Sequence, residues 1–379
     1  MHLALEYSRS VTATVATRAL SRVFPGALTA PTAPLRLITK PSLRLPGPGW
    51  TRVRPILAGI TTADLRLLST GYGPYLGALM SPPFVPGHEV VGTADGRRVV
   101  LDPVIGCDAR GIEPCVNCAA GRANRCDRPT SEAITGVRTG FTRQTGGGWS
   151  EELIAHTSQL HPVPDGLTDD RALLVQPLAR ALHLVDRGLP ESGATTGPTP
   201  RVLIVGAGLT GLLTCWVIRR QHPQAEVSVV ARYPRQRELA ARYGAGDVLA
   251  PGDALRGVRR STGAIRVRDF LLGGVDVAID AAGTAASARI ALHSVAAGGR
   301  VVGSLTTGRP TAAAWFRELD LIGSYAATSA DYRRALELVA QLPTEDLVVA
   351  RYPLRRWRQA LDHAQARGKS GTVKVAFAP

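Results

Sequence analysis

Apolar residues fall in two rhythms along this chain. The clearest begins at residues 202–205, a short, mostly β-branched apolar run of the kind a buried parallel strand needs, and Gly206-Ala-Gly208-Leu-Thr-Gly211 follows it without a spacer. Over 209–219 the apolar positions recur at helical spacing, and no proline interrupts them before Pro223. VSVVA at 227–231, a helix starting near Pro234, VDVAIDAAG at 275–283, another helix and RVVGSL at 300–305 continue the alternation. Strands alternating with helices in this way predict a doubly wound parallel sheet.

The other rhythm lies upstream. Residues 51–155 read as short apolar strands punctuated by glycine and proline, with one short helix at 62–68, and so predict a β-rich domain. The segment 153–164 closes it, VPDGLTDD supplies a turn with Thr168 or Asp169 as N-cap, and a long helix over 171–187 follows. Residues 191–200 read as a surface connection, and the first twenty residues as the opening strands of the fold. From Leu321 onward a strand LIGSYA, a helix over 329–342 and a closing strand TVKVAFA read as a return to the first domain. There is no internal repeat.

The glycines carry the first chemistry. In a strand–turn–helix unit of this kind Gly206 makes the tight turn, Gly208 lets a pyrophosphate approach the backbone, and Gly211 lets helix and strand pack closely. Free N–H groups at the helix start, around Leu209 and Thr210, then face the phosphates. The residue that accepts the ribose hydroxyls in NAD enzymes is an acid at the end of the second strand. Here that register holds Ala231, followed by Arg232, Tyr233 and Arg235. Guanidinium groups pair with a 2′-phosphate that a carboxylate would repel, so NADP is expected in preference to NAD.

Length and charge narrow the class. A chain of 379 residues implies two domains, and 45% hydrophobic with 20% charged residues is a globular composition. No apolar run is long enough to cross a bilayer, and Glu6 breaks the amino-terminal apolar stretch, so a cytoplasmic, non-membrane protein is expected. The formal charge of +15 would ordinarily suggest nucleic acid as a partner, but the distribution of the charges does not. Of the 45 basic residues only Lys40, Lys369 and Lys374 are lysines, and the arginines are scattered without a basic block. Cys107, Cys115, Cys118 and Cys126 cluster in one loop-like stretch, which in a reducing compartment favours thiolate metal ligation over disulfides. Cys215 reads as a small core residue.

The order of these parts resembles the medium-chain dehydrogenase/reductase superfamily, the zinc-type alcohol dehydrogenases and their relatives. The resemblance covers nearly the whole chain and rests on the segment 59–65, PGHEVVG at 86–92, the C-x-x-C with a third cysteine eight residues later, GGGWSEEL at 146–153 and LLVQPLARALH at 173–183. It implies a GroES-like β-rich catalytic domain over 1–170 with a zinc lobe at 107–126, a Rossmann cofactor domain over 171–322, and a return to the catalytic domain over 323–379.

It further implies a structural zinc held by four cysteines, with Cys107 replacing the usual first ligand, whose position is Ile112. In zinc-using relatives a Cys, a His and a Cys or Glu hold a catalytic metal. Here Thr61 stands at the Cys position, Gln176 at the Glu position, and His88 alone remains. Asp64 and Glu89 are the carboxylates nearby. The relay hydroxyl would fall at Ala63, leaving Thr61 or Thr62 to start it. The resemblance thus implies an NADP-dependent oxidoreductase, a dimer or tetramer, that moves hydride to or from a small carbonyl, alcohol or activated alkene without a well-formed catalytic zinc. A zinc-dependent alcohol dehydrogenase with unusual ligands, and a non-enzymatic NADP-binding redox sensor, are the other readings.

Overall fold

The computed structural model describes the chain except residues 9–10, 21–23, 70–75, 190–198, 305–311, 345–346, 348 and 372, so most of the connection at 191–200, and Leu305, lie outside the described residues. The described chain divides into two compact units, Met1–Gln176 with Thr328–Pro379, and Pro177–Ala327.

In the first unit, β1 (His2–Tyr7) pairs antiparallel with β2 (Leu35–Lys40). Between them α1 (Val11–Leu20) is a helix, where the sequence pattern had suggested strand. Apolar residues in that run sit at spacings both periods accept. Burial shows which one is used, because Thr17 is inside and Val15 exposed. The long strand β3 (Trp50–Ile60) runs into α2 (Thr62–Ser69), and β4 (Val90–Ala94), β5 (Arg97–Leu101), β6 (Leu153–His156) and β7 (Leu160–Pro162) follow. The helix expected over 171–187 is two helices, α3 (Asp169–Leu173), capped by Thr168, and α4 (Val175–Gly188), separated at Leu174.

The second unit holds β8 (Arg201–Val205), α5 (Leu209–Gln221), β9 (Glu226–Val230), α6 (Pro234–Arg242), β10 (Asp247–Leu249), β11 (Ile265–Val267), β12 (Phe270–Leu272), β13 (Val275–Asp280), β14 (Val295–Gly303) and β15 (Asp320–Gly323). Six of these strands form one sheet in the order β10-β9-β8-β13-β14-β15, parallel throughout, with β11–β12 a separate hairpin. The strand near Leu321, expected to begin the return, is therefore the edge of this parallel sheet. Its register against β14 is what places it there, since Leu321 pairs with Val301 and Ile322 with Val302.

The chain re-enters the first unit with α7 (Ser329–Leu338), β16 (Val349–Tyr352), α8 (Trp357–Ser370) and β17 (Lys374–Phe377). A seven-stranded sheet, β16-β17-β3-β4-β5-β7 with β6 also on β3, is antiparallel except where β16 meets β17. Its core is built from Leu5, Leu35, Val53, Phe84, Val90, Trp149, Leu153 and Phe377, all essentially buried. This sheet presents the ends of β3 and β17 and the turn before β4, and those ends carry the polar residues considered next.

Candidate active site and cysteine lobe

The end of β3 and the start of α2 form a capping box. Asp64 Oδ2 accepts from the Thr61 N–H at 2.8 Å and from the Thr61 hydroxyl at 2.7 Å, while the Asp64 N–H donates to Thr61 Oγ1 at 3.0 Å. The other oxygen, Oδ1, lies 3.4 Å from His88 Nδ1. Both side chains are buried, and Phe141 packs on the imidazole with ring centroids 5.5 Å apart. Burial, reinforced by Arg138, pushes the His88 imidazole below its ordinary range, against the pull of Asp64. For Asp64 burial acts upward, but His88 and the two Thr61 bonds outweigh it and hold the carboxyl low. The pair is therefore a neutral imidazole beside a carboxylate, and a proton on Nδ1 toward Asp64 leaves the Nε2 lone pair available.

The remaining residues expected at the site lie on separate partners. Glu89 forms a buried ion pair with Lys374 on β17, and both groups press on Gly59, where a Cβ would come within 2.5 Å of Glu89 Oε2. Burial brings Lys374 down to about 7. Thr62 is exposed and its hydroxyl accepts from Arg367, which also donates to the Ile60 carbonyl at 3.1 Å. Gln176 is buried beside Tyr332, and its Oε1 has no partner among the described residues. Tyr332 in turn stacks on His161 at 5.0 Å.

Thus Thr61, Asp64 and His88 stand together, Glu89 and Thr62 are engaged elsewhere, and Gln176 lies beside Tyr332. The donors do not fit a catalytic zinc. One histidine is left without a second free anionic ligand, because Asp64 is shared with Thr61 and His88, and Glu89 with Lys374.

Sequence reasoning did not single out Lys374, Arg138, Asp102 or Tyr332. Lys374 left a readable trace, being one of three lysines and standing inside the apolar closing strand. Arg138 left none among so many arginines. Its guanidinium sits 5.5 Å from the Phe141 ring and acts on His88, Asp102 and Tyr332 alike.

The four clustered cysteines meet. Among the described residues, Cys107, Cys115, Cys118 and Cys126 are the only group whose potential ligand atoms all lie within 4.8 Å of one another, and Cys107 and Cys126 sulfurs are 3.6 Å apart. A tetrahedral four-thiolate zinc site separates its sulfurs by about 3.8 Å, given Zn–S bonds of about 2.3 Å. Backbone N–H groups already point at the sulfurs, from Cys115 to Cys107 at 3.4 Å, from Cys118 to Cys115 at 3.5 Å and from Arg128 to Cys126 at 3.4 Å. Such donors, from Asp127 and Cys118, bring the Cys115 thiol down to about 6. Cys107 lies eight positions before Cys115, and the 3₁₀ turn Asp108–Arg110 folds that longer loop back so that Cys107 closes the set. The donor set and spacing fit zinc.

In the second unit the glycines have the geometry expected of a nucleotide cradle. Gly206 has φ +112°, and a Cβ on Gly211 would lie 1.8 Å from the Gly206 carbonyl, so helix and strand approach too closely for any side chain. Gly208, the N-cap of α5, faces open space, with nothing within 4 Å of a Cβ there. The N–H groups of Leu209, Thr210 and Gly211 open the helix beside it. At the end of β9, Ala231 is buried, Arg232 is exposed, and Arg235 is half-buried with Nη1 3.0 Å from Glu238 Oε2.

A β-rich unit with a buried His–Asp pair and a four-cysteine lobe, followed by a parallel sheet with a glycine cradle, is the construction of a two-domain nucleotide-dependent dehydrogenase. Family models agree: one described as alcohol dehydrogenase GroES-like domain matches residues 47–165, and one described as zinc-binding dehydrogenase matches 211–341. The chain is 28% identical to sorbitol dehydrogenase of Bombyx mori, covering 81% of this chain and 86% of that protein. It is also 28% identical to D-xylulose reductase A of Aspergillus niger, covering 69% and 71%. Among solved structures, a candidate zinc-binding dehydrogenase from Sinorhizobium meliloti 1021, bound to NADP, matches with a TM-score of 0.67 at 29% identity over 91% of this chain and 95% of that one. Acetophenone reductase from Geotrichum candidum, in complex with NAD, shares the fold with a TM-score of 0.74 at 18% identity, covering 100% and 97%. The chain belongs to the medium-chain dehydrogenase/reductase superfamily, among its zinc-type alcohol dehydrogenase-like members, and is an alcohol dehydrogenase-like oxidoreductase.

Proposed function

We propose that this oxidoreductase uses NADP(H) to interconvert a small alcohol and its carbonyl, or to reduce an activated alkene, with zinc in the cysteine lobe and none at His88. The observation that carries the cofactor reading is the end of β9, where a buried methyl, Ala231, replaces the ribose-binding acid and Arg232 stands exposed beside it. The NADP in the Sinorhizobium structure accords with it. Gly206, Gly208, Leu209, Thr210 and Gly211 would hold the pyrophosphate, Arg232 and Arg235 the 2′-phosphate, and the cofactor supplies the hydride. The sorbitol and xylulose enzymes among the relatives favour a polyol or ketose over the alkene.

The chain's own residues have the proton to manage. Asp64 fixes the imidazole through Nδ1, Thr61 fixes Asp64, and His88 Nε2 accepts the alcohol proton in oxidation or, once protonated, returns it in reduction. Thr61 is committed to Asp64 through its hydroxyl proton, so its part is to orient the acid. We further propose a homo-oligomer, with the outer edge of β15 as the contact.

NADPH and NADH oxidation should be followed with a panel of ketoses, aldehydes, quinones and enones, alongside metal analysis. The reading expects turnover with NADPH on at least one ketose or aldehyde and about one tightly held zinc per chain. Binding of NADPH without turnover on any member would favour the redox-sensor reading. Two zincs, with activity lost and regained as one is removed and restored, would return the protein to the zinc-dependent alcohol dehydrogenases.

A further inference from the structure

One buried guanidinium ties the cysteine lobe to the loop beside His88. Arg110 is 6% exposed, and its fork donates to the carbonyls of Ile134 at 2.9 Å, Ile105 at 3.2 Å and Gly136. Among the described residues no carboxylate pairs with it; the groups that face it are the sulfurs of Cys126, Cys107 and Cys118. The segment it grips continues directly into the active-site loop. Ile105 N–H donates to Val137 O at 3.0 Å, Val104 bridges Arg138, and Thr139 N–H donates to Pro103 O at 2.9 Å. That loop delivers Arg138 and Phe141, and Phe141 packs on the His88 ring.

The position of Cys107 joins this clamp to the cysteine cluster. Cys107 immediately precedes the 3₁₀ turn that ends at Arg110, and the Arg110 N–H donates to the Cys107 carbonyl at 3.0 Å. A ligand sulfur and the clamp therefore ride on one turn. A dication in four thiolates leaves the cluster net negative, which is the counter-charge a buried guanidinium lacking a carboxylate requires. Without the dication the four sulfurs lose the centre that gathers them, and the turn that carries both Cys107 and Arg110 loses that anchor.

We propose that Arg110 is a positioning residue that couples metal occupancy of the cysteine lobe to the placement of Arg138 and Phe141 beside His88. The proposal rests on the reading that the four thiolates hold zinc.

The test follows the His88 imidazole by NMR in the full-length protein carrying isotope-labelled histidine, with the signal assigned by its loss in His88→Gln. In the parent, removing zinc with a chelator should shift the His88 signal and adding zinc should restore it. In Arg110→Gln, zinc affinity measured against a competing chelator should fall about 10–100-fold, the usual effect of losing a group that supports metal ligands. At saturating zinc the His88 signal of that variant should no longer follow the metal. Arg110→Lys keeps the charge without the three-carbonyl fork; it should recover part of the affinity but not the response at His88, and it carries the comparison if the glutamine variant does not fold. A parent that binds zinc while His88 ignores it, or an Arg110→Gln protein in which His88 still follows zinc as in the parent, overturns the coupling alone. A parent that takes up no zinc overturns the zinc reading and the proposal with it.

Discussion

Asp102 is a carboxyl group that folding carries out of water without giving it, among the described residues, a cation at hydrogen-bond distance. Burial raises it to about 7, although the Val104 N–H donates to it at 3.0 Å and Arg138 acts on it from further away. Its ordinary value, which the unfolded chain keeps, is 3.8, so between that pH and about 7 the folded state binds more protons than the unfolded chain. Stability from this group therefore falls as pH rises through that window and stays reduced above it, by a few kcal/mol at about 1.4 kcal/mol per unit. Asp102→Asn keeps the acceptor for Val104 and removes the ionisation. Its melting temperature should exceed the parent's at about pH 8, with the gap closing toward about pH 4; a gap independent of pH would show that Asp102 is not the group responsible. Arg232 makes the complementary argument about function. It is exposed and has no charged partner among the described residues, whereas Arg235 is already held by Glu238. Arg232→Ala should weaken NADPH binding by about 1.5–3 kcal/mol, or roughly 10–150-fold, and leave NADH unchanged. Equal losses for both dinucleotides, measured by nicotinamide fluorescence, would place Arg232 away from the 2′-phosphate.

At the scale of elements, the β8–α5 unit separates two uses of glycine that its sequence motif runs together. Gly211→Ala sets a Cβ against the Gly206 carbonyl, so the helix must move off the strand, and both the melting temperature and NADPH binding should fall. Gly208→Ala meets nothing in the fold. It should leave the stability within about 0.5 kcal/mol of the parent's, as an uncrowded surface substitution does, and still abolish tight NADPH binding by filling the space a pyrophosphate needs. If Gly208→Ala binds NADPH normally, the phosphates lie elsewhere. This unit was legible because strand period, turn glycines and helix period coincide in fourteen or so consecutive positions, the case in which local pattern is most informative. The first twenty residues were not, since valines and alanines at mixed spacing satisfy either period and tertiary burial chose the helix for α1. The polar cluster around Asp102, Arg138 and Tyr332 was hidden for a different reason. Its members come from the residue after β5, a loop and α7, and nothing local marks a carboxyl that will be buried.

For the whole molecule, the proposed homo-oligomer is a question of sheet edges. The parallel sheet ends on one side at β10, three residues long, and on the other at β15, whose outer edge has no partner strand among the described residues. An unpaired edge is a template for another strand, and a second copy placed by a two-fold axis supplies an identical edge running the opposite way. The sequence could announce oligomerisation only through family resemblance, because an edge strand and an interior strand of a parallel sheet share the same apolar composition. In the structure, Gly323 at the end of β15 is exposed, and a Cβ there meets nothing within 4 Å. Gly323→Asp is therefore accommodated by a single chain, while at a two-fold contact it sets two carboxylates near each other in a place where water is being excluded. Light scattering on the eluting protein should give a dimer, or a multiple of it, for the parent and a smaller species for Gly323→Asp, with the melting profile of each chain otherwise preserved. A parent that elutes as a monomer would dispose of the homo-oligomer, and an unchanged assembly in Gly323→Asp would move the interface away from β15.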